Sequence, residues 1–212
     1  MILSLIGTVN SGNLHLSMHI CKMLSNLKKR VLLVSKTEDP LLFFGIDKRL
    51  MSSKPLEVYG FDVFIGTDVG SFTSDYDCIV ISTDSSNVLG TMFLVQNCCD
   101  IVSLTKSREL IKDITGKVNL DKNINLIFNN FLNIRSKASL AFIERELSIT
   151  TGKKIKIPFD IRNLQASVNE QVDQRLNLKK FTREYFLSLV DVLMIADNEF
   201  KPDQKILRKM IG

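Results

Sequence analysis

The chain opens with an apolar run, Ile2-Leu3-Ser4-Leu5-Ile6, that stops at a glycine, and a second glycine follows in Gly7-Thr8-Val9-Asn10-Ser11-Gly12. This spacing is the frame of GxxxxGK followed by Ser or Thr, the loop whose backbone N–H groups cradle phosphates at the start of a helix. A short apolar strand, a tight loop and a helix constrain the chain to an α/β sheet with the loop at the C-terminal end of the first strand. The charged chemistry of the loop is missing. Asn13 and Leu14 stand where Lys and Ser/Thr belong, and Leu14 has no hydroxyl with which to hold Mg²⁺.

Beyond the loop, Leu16, Ile20, Met23, Leu24 and Leu27 recur near the helical period, which predicts a helix over 14–27, and the apolar run at 31–34 predicts a second strand. Further short apolar runs predict strands at 62–65, 78–81, 101–104, 124–128 and 155–157, and helices are expected over 87–97, 107–114, 136–147 and 182–195. Strands separated by stretches long enough for crossover helices argue a mostly parallel central sheet flanked by helices on both faces. The expected division is one α/β domain over 1–196, then a polar linker and short basic tail over 197–212.

At 212 residues, with 45% hydrophobic and 24% charged residues, the composition is that of an ordinary globular protein with room for one substantial core. No apolar run reaches the length of a membrane span, and no basic stretch precedes Ile2, so the N-terminus does not read as a signal peptide and a cytoplasmic protein is expected. Cys21, Cys78, Cys98 and Cys99 sit in apolar patterns without a CxxC and read as reduced core thiols. His15 and His19 lie four apart on the first helix, a spacing that suits one metal ion, but the sequence suggests no third ligand; they read as helix surface, and no metal is expected. A net charge of +5 permits a nucleic acid or an acidic lipid as partner, yet the excess is spread along the chain and chooses neither.

Five segments carry more information in order than any does alone: Thr8 to His15, Leu33-Val34-Ser35-Lys36-Thr37-Glu38-Asp39, Tyr76-Asp77-Cys78-Ile79-Val80-Ile81-Ser82-Thr83, Leu126-Ile127-Phe128-Asn129-Asn130 and Ile157-Pro158-Phe159-Asp160. With these segments the chain, from Met1 to about Ile195, resembles the ParA/MinD family of deviant Walker ATPases, with a P-loop NTPase-like fold. The family loop runs KGGxGK, then Ser or Thr, then Thr. In it Thr8 replaces the lysine that reaches across the dimer, and Asn13 the lysine that grips the phosphates. Ser35 and Thr37 occupy the two Asp positions of the family's LIDxDPQ segment, and Ser82 the metal-linked Asp of YDxxIIDTPP; Asp84 is near but out of register. The base end is better kept: Asn129 matches the strand-end Asn that meets adenine, and Pro158 and Asp160 match IPxD. Each has an ordinary alternative, Asn129 as a strand cap and Pro158 as a turn. The resemblance thus implies a vestigial nucleotide pocket at Gly7, Asn10, Ser11, Gly12, Asn13, Asn129, Pro158 and Asp160, without catalytic residues and without bound Mg²⁺.

Hydrogen bonds to charged groups contribute roughly 1.5 to 3 kcal/mol each, so losing two lysines and a metal ligand removes about 5 kcal/mol or more. A micromolar complex rests on roughly 8 kcal/mol, so ATP is expected to bind at millimolar concentration or not at all. Lys36, a new cation beside the loop, is a possible substitute grip or simply a solvated lysine.

The tail, Lys205-Ile206-Leu207-Arg208-Lys209-Met210-Ile211-Gly212, separates an apolar from a basic helical face and is similar to the membrane-targeting tail of MinD. The alternatives are a last helix packed on the domain and a helix cut short. The reading that follows is a catalytically degenerate scaffold that positions or assembles a bacterial machine of the pilus, secretion or partition type. Within the family it is similar to TadZ/CpaE-like proteins, and its expected partners are proteins, a nucleotide-independent second copy and anionic lipid at the inner face of the membrane. The rivals are a slow ATPase using Lys36 or Asp84, and a DNA-binding partition protein using Lys153, Lys154, Lys156, Lys179, Lys180 and Arg183.

Overall fold

The N-terminal apolar run becomes β1 (Ile2–Gly7), a strand in the interior of an eight-stranded sheet. The computed structural model describes residues 1–8, 12–47, 54–67, 69–85, 89–99, 124–131 and 152–212, with single helical positions at 106, 109, 110 and 113. The other strands are β2 (Val31–Ser35), β3 (Leu56–Val58), β4 (Phe61–Ile65), β5 (Cys78–Thr83), β6 (Thr91–Asn97), β7 (Asn125–Phe131) and β8 (Lys154–Pro158). The described helices are α1 (Asn13–Asn26), α2 (Asp39–Phe43), α3 (Ile161–Asp173), α4 (Arg183–Ala196) and α5 (Gln204–Ile211).

Strand order is β3-β4-β2-β5-β1-β6-β7-β8. Every neighbouring pair is parallel except β3 and β4. Those two make a tight hairpin, in which Tyr59 (φ 52°) and Gly60 (φ 90°) both adopt the left-handed conformation that suits a two-residue turn to strand twist. Side chains alternate across the sheet. Leu3, Leu5, Val31, Leu33, Cys78 and Val80 meet α1, α4 and α5 on one face, while Leu32, Val34, Ile79 and Ile81 form a second cluster with Val69 on the other. Burial on both faces is why these strands read as unbroken apolar runs.

The mostly parallel sheet, α1 and the strands at 31–34, 62–65, 78–81, 124–128 and 155–157 agree with the sequence reading to within a few residues. The helix expected over 87–97 does not: Thr91–Asn97 is β6, paired between β1 and β7. A short run that is apolar on both faces has no period by which helix and strand can be told apart. The expected strand at 101–104 and helix at 136–147 lie outside the described residues, as does most of the helix at 107–114.

The tail also differs from expectation. Residues 205–211 belong to α5, which is capped by Gly212 and lies against α1: Met210 is fully buried, Ile206, Leu207 and Ile211 pack partly buried against the core, and Asn26 Nδ2 donates to the Met210 carbonyl at 2.9 Å. Phe200, in the stretch read as a linker, packs on the same core. The apolar face that membrane insertion requires is therefore in use within the domain, while Lys205, Arg208 and Lys209 remain exposed. No described helix is long and apolar enough to cross a membrane.

Candidate functional site

Parallel strands end together, and here β1, β2 and β5 end around a cleft of about 610 Å³ whose walls include Gly7, Thr8, Gly12, Asn13, Ser35, Lys36, Ser82 and Asp84. This is where open α/β sheets place ligands, outside the carboxyl ends of the strands. Gly12 forms the N-cap of α1 at φ 82°, and a Cβ there would come within 2.5 Å of Asn129 Nδ2, so backbone conformation and space both demand glycine. Asn10 and Ser11 lie outside the described residues.

The positions that differ from a working nucleotide site carry neutral side chains, and four of them meet in two pairs, Asn13 with Ser82 and Ser35 with Thr37. Asn13 Nδ2 donates to Ser82 Oγ at 3.2 Å and to the Thr83 carbonyl at 3.3 Å, which joins the first turn of α1 to the end of β5. On the β2 side, Thr37 N–H donates to Ser35 Oγ at 3.3 Å, and Thr37 Oγ1 donates to Asp39 Oδ2 at 2.7 Å. Thr8, Ser35, Ser82 and Thr83 are all buried. Lys36 brings a cation to the cleft wall, which also carries the carboxylates of Asp39 and Asp84.

The residues expected at the base end are only partly brought together. Asn129 abuts Gly12 from the end of β7. Pro158 closes β8 opposite Phe131, and Asp160 is the N-cap of α3, its carboxylate accepting from Arg162 N–H at 2.8 Å and pairing with the Arg162 guanidinium at 2.6 Å. None of Asn129, Pro158 and Asp160 lines the cleft. The guanidinium, with Arg162 N–H helping, holds the Asp160 carboxyl below the usual carboxylate range.

Beside the cleft lies a group that the sequence did not reveal. His19 is fully buried, contrary to the helix-surface reading, and His15 is half-buried at the cleft wall. Both Nε2 atoms lie 2.8 Å from Glu170 Oε2, on α3. The N–H of Asn177 donates to the other carboxylate oxygen, and the Tyr185 hydroxyl lies 2.7 Å from His19 Nδ1. Burial, with His15 adding repulsion, holds His19 below its ordinary pKa. Burial alone would raise Glu170, but the bonds from His15, His19 and Asn177 outweigh it and keep the carboxyl ionised well below its ordinary range. Glu170 escaped notice because it is some 150 residues from the histidines and belongs to an unexpected helix. Among the cysteines, Cys21 and Cys78 are core thiols as expected, but Cys98 is half-buried and Cys99 is exposed at the end of β6.

No family model and no curated protein matches the sequence. Solved structures match over nearly the whole chain. A MinC:MinD cell division complex of Aquifex aeolicus superposes with a TM-score of 0.67 at 15% identity, covering 96% of this chain and 98% of that one. A plasmid partition protein of Borrelia burgdorferi bound to AMPPNP gives 0.66 at 15% identity, covering 94% and 99%. An ATP complex of McdA from Cyanothece gives 0.68 at 12% identity, covering 96% and 98%. At such identities the likeness is one of fold, and together with the strand order and the glycine-framed loop at the carboxyl edge of β1 it establishes that this chain has the α/β fold of the ParA/MinD-type ATPases.

Proposed function

We propose that this chain is a ParA/MinD-type scaffold that has given up nucleotide hydrolysis and positions or assembles partner proteins of a larger machine. The observation that carries this reading is the contact of Asn13 with Ser82 and Thr83, a neutral tie across the place where a lysine and a metal-linked aspartate would face Mg²⁺–ATP. The residues present do not fit that ligand: the cleft wall carries one lysine and two carboxylates, which leave no net positive charge for phosphates. Thr8 is buried and too short to reach a phosphate in a second subunit, so any dimer forms without nucleotide. Support for a protein partner comes from α3, whose outer face exposes Ile161, Leu164, Val168 and Val172 in one stripe.

A slow ATPase is the second reading, favoured by one observation, that Lys36 and Asp84 both reach the cleft. ATP turnover, ATP binding by calorimetry and sedimentation with and without ATP separate the two. The scaffold reading expects no turnover above a buffer blank, millimolar or weaker affinity and one sedimentation profile. Turnover that Lys36→Ala abolishes, or a dimer formed only with ATP, overturns it.

A further inference from the structure

Two imidazoles one helical turn apart on α1 and a carboxylate from α3 converge beside the cleft, with their ligand atoms all within 4.8 Å of one another. The carboxylate is almost wholly withdrawn from water, 2% exposed, and its only ion-pair partners among the described residues are these two imidazoles. We propose that His15, His19 and Glu170 form a binding site for one divalent transition-metal ion of the zinc class.

The donor set favours such an ion. Two imidazoles and one carboxylate suit Zn²⁺, Co²⁺ or Fe²⁺, whereas Mg²⁺ and Ca²⁺ prefer oxygen alone. Tetrahedral ligands at about 2.0–2.1 Å from zinc stand roughly 3.3 Å apart. Each of the two 2.8 Å contacts must therefore open by about half an ångström, the first by a shift of half-buried His15 and the second by a shift of the Glu170 carboxylate away from fully buried His19. The surrounding groups match what metal-bound histidines require. Tyr185 Oη stands 2.7 Å from His19 Nδ1 and accepts a hydrogen bond from Nδ1–H once Nε2 turns to the metal; Ser167 Oγ lies 3.5 Å from His15 Nδ1, and Asn177 N–H holds the second carboxylate oxygen. A fourth position is left for water or a donor from the cleft that His15 lines. The ion would tie α1, which follows the loop, to α3, which carries the apolar stripe.

Full-length protein stripped with chelator is titrated with Zn²⁺ in a calorimeter and with Co²⁺ in a visible spectrometer. One equivalent is expected to bind, with Co²⁺ giving d–d bands. His15→Ala and Glu170→Gln, checked for folding by circular dichroism, are expected to abolish that equivalent, and Tyr185→Phe to weaken it about 10–100-fold. The double change Cys98→Ser, Cys99→Ser is expected to leave it intact. The absence of a saturable equivalent, its survival in either folded ligand variant, or its loss in the cysteine variant overturns the proposal.

Discussion

Met210→Ala tests whether the C-terminal helix belongs to the domain or is free to serve a membrane. The side chain is fully buried on the last turn of α5, against α1. Truncation to Ala removes about three heavy atoms, roughly 2.4 kcal/mol at ~0.8 kcal/mol per buried methylene. The cavity left behind adds to this, and Met→Ala changes in cores cost about 2–5 kcal/mol. A helix of eight residues at the chain end can settle into part of the gap, so about 3 kcal/mol is expected. With a urea slope of about 2–3 kcal/mol/M the unfolding midpoint falls by roughly 1–1.5 M. Leu207→Ala, only partly buried, should cost about half as much. In parallel, the intact chain should remain in the supernatant when anionic vesicles are pelleted. A midpoint shift for Met210→Ala below about 0.2 M, together with salt-sensitive pelleting of the intact chain, would refute the packing argument.

Gly90→Ala should destabilise severely, by more than about 3 kcal/mol in thermal melts, because φ is 72° and the new Cβ would come 2.2 Å from the Ile2 carbonyl oxygen. Val168→Lys and Val172→Lys should each leave stability within about 0.5 kcal/mol. In sedimentation they should disrupt any assembly that uses the α3 stripe, and a large loss of stability would show instead that the stripe is packed. A thiol reagent added to native protein should label Cys99 first and Cys98 slowly, since burial and the neighbouring Cys99 push the Cys98 thiol up to about 12. Cys21 and Cys78 should react only on unfolding, and fast labelling of either contradicts their burial.

The carboxyl edge of the sheet was legible because its signals are local. Gly7 and Gly12 fix the loop, α1 has a clear apolar period, and β2 and β5 are unbroken apolar runs bounded by polar residues. What escaped depended on partners far away in sequence. The strand β6 is defined by β1 and β7 on either side, not by any period of its own. The hairpin of β3 and β4 turns on Tyr59-Gly60, a signal present in the sequence but attached to a strand of only three residues. The tail reads as amphipathic either way, and only its contact with α1 decides what covers the apolar face. Around the cleft, Gly7, Gly12 and Asn13 belong to one local, glycine-framed segment, whereas nothing near Glu170 in sequence marks a carboxylate that α1 will claim.

In α3 the ordinary rules of substitution run backwards. Asn163, Ala166 and Glu170 face the interior, and Ile161, Leu164, Val168 and Val172 face solvent. Asn163 Oδ1 receives the Thr182 N–H at 2.9 Å, and Glu170 receives two imidazoles and a backbone amide, so the helix is held by polar contacts. A scan of this helix should therefore tolerate charge at 161, 164, 168 and 172 as far as folding goes and reject leucine at 163 and 170, the reverse of what its hydrophobicity pattern suggests. Selection by solubility alone would strip the stripe away within a few substitutions. Its retention in any set of natural variants, set beside its loss in variants chosen only for folding, would measure how strongly something other than the fold depends on it.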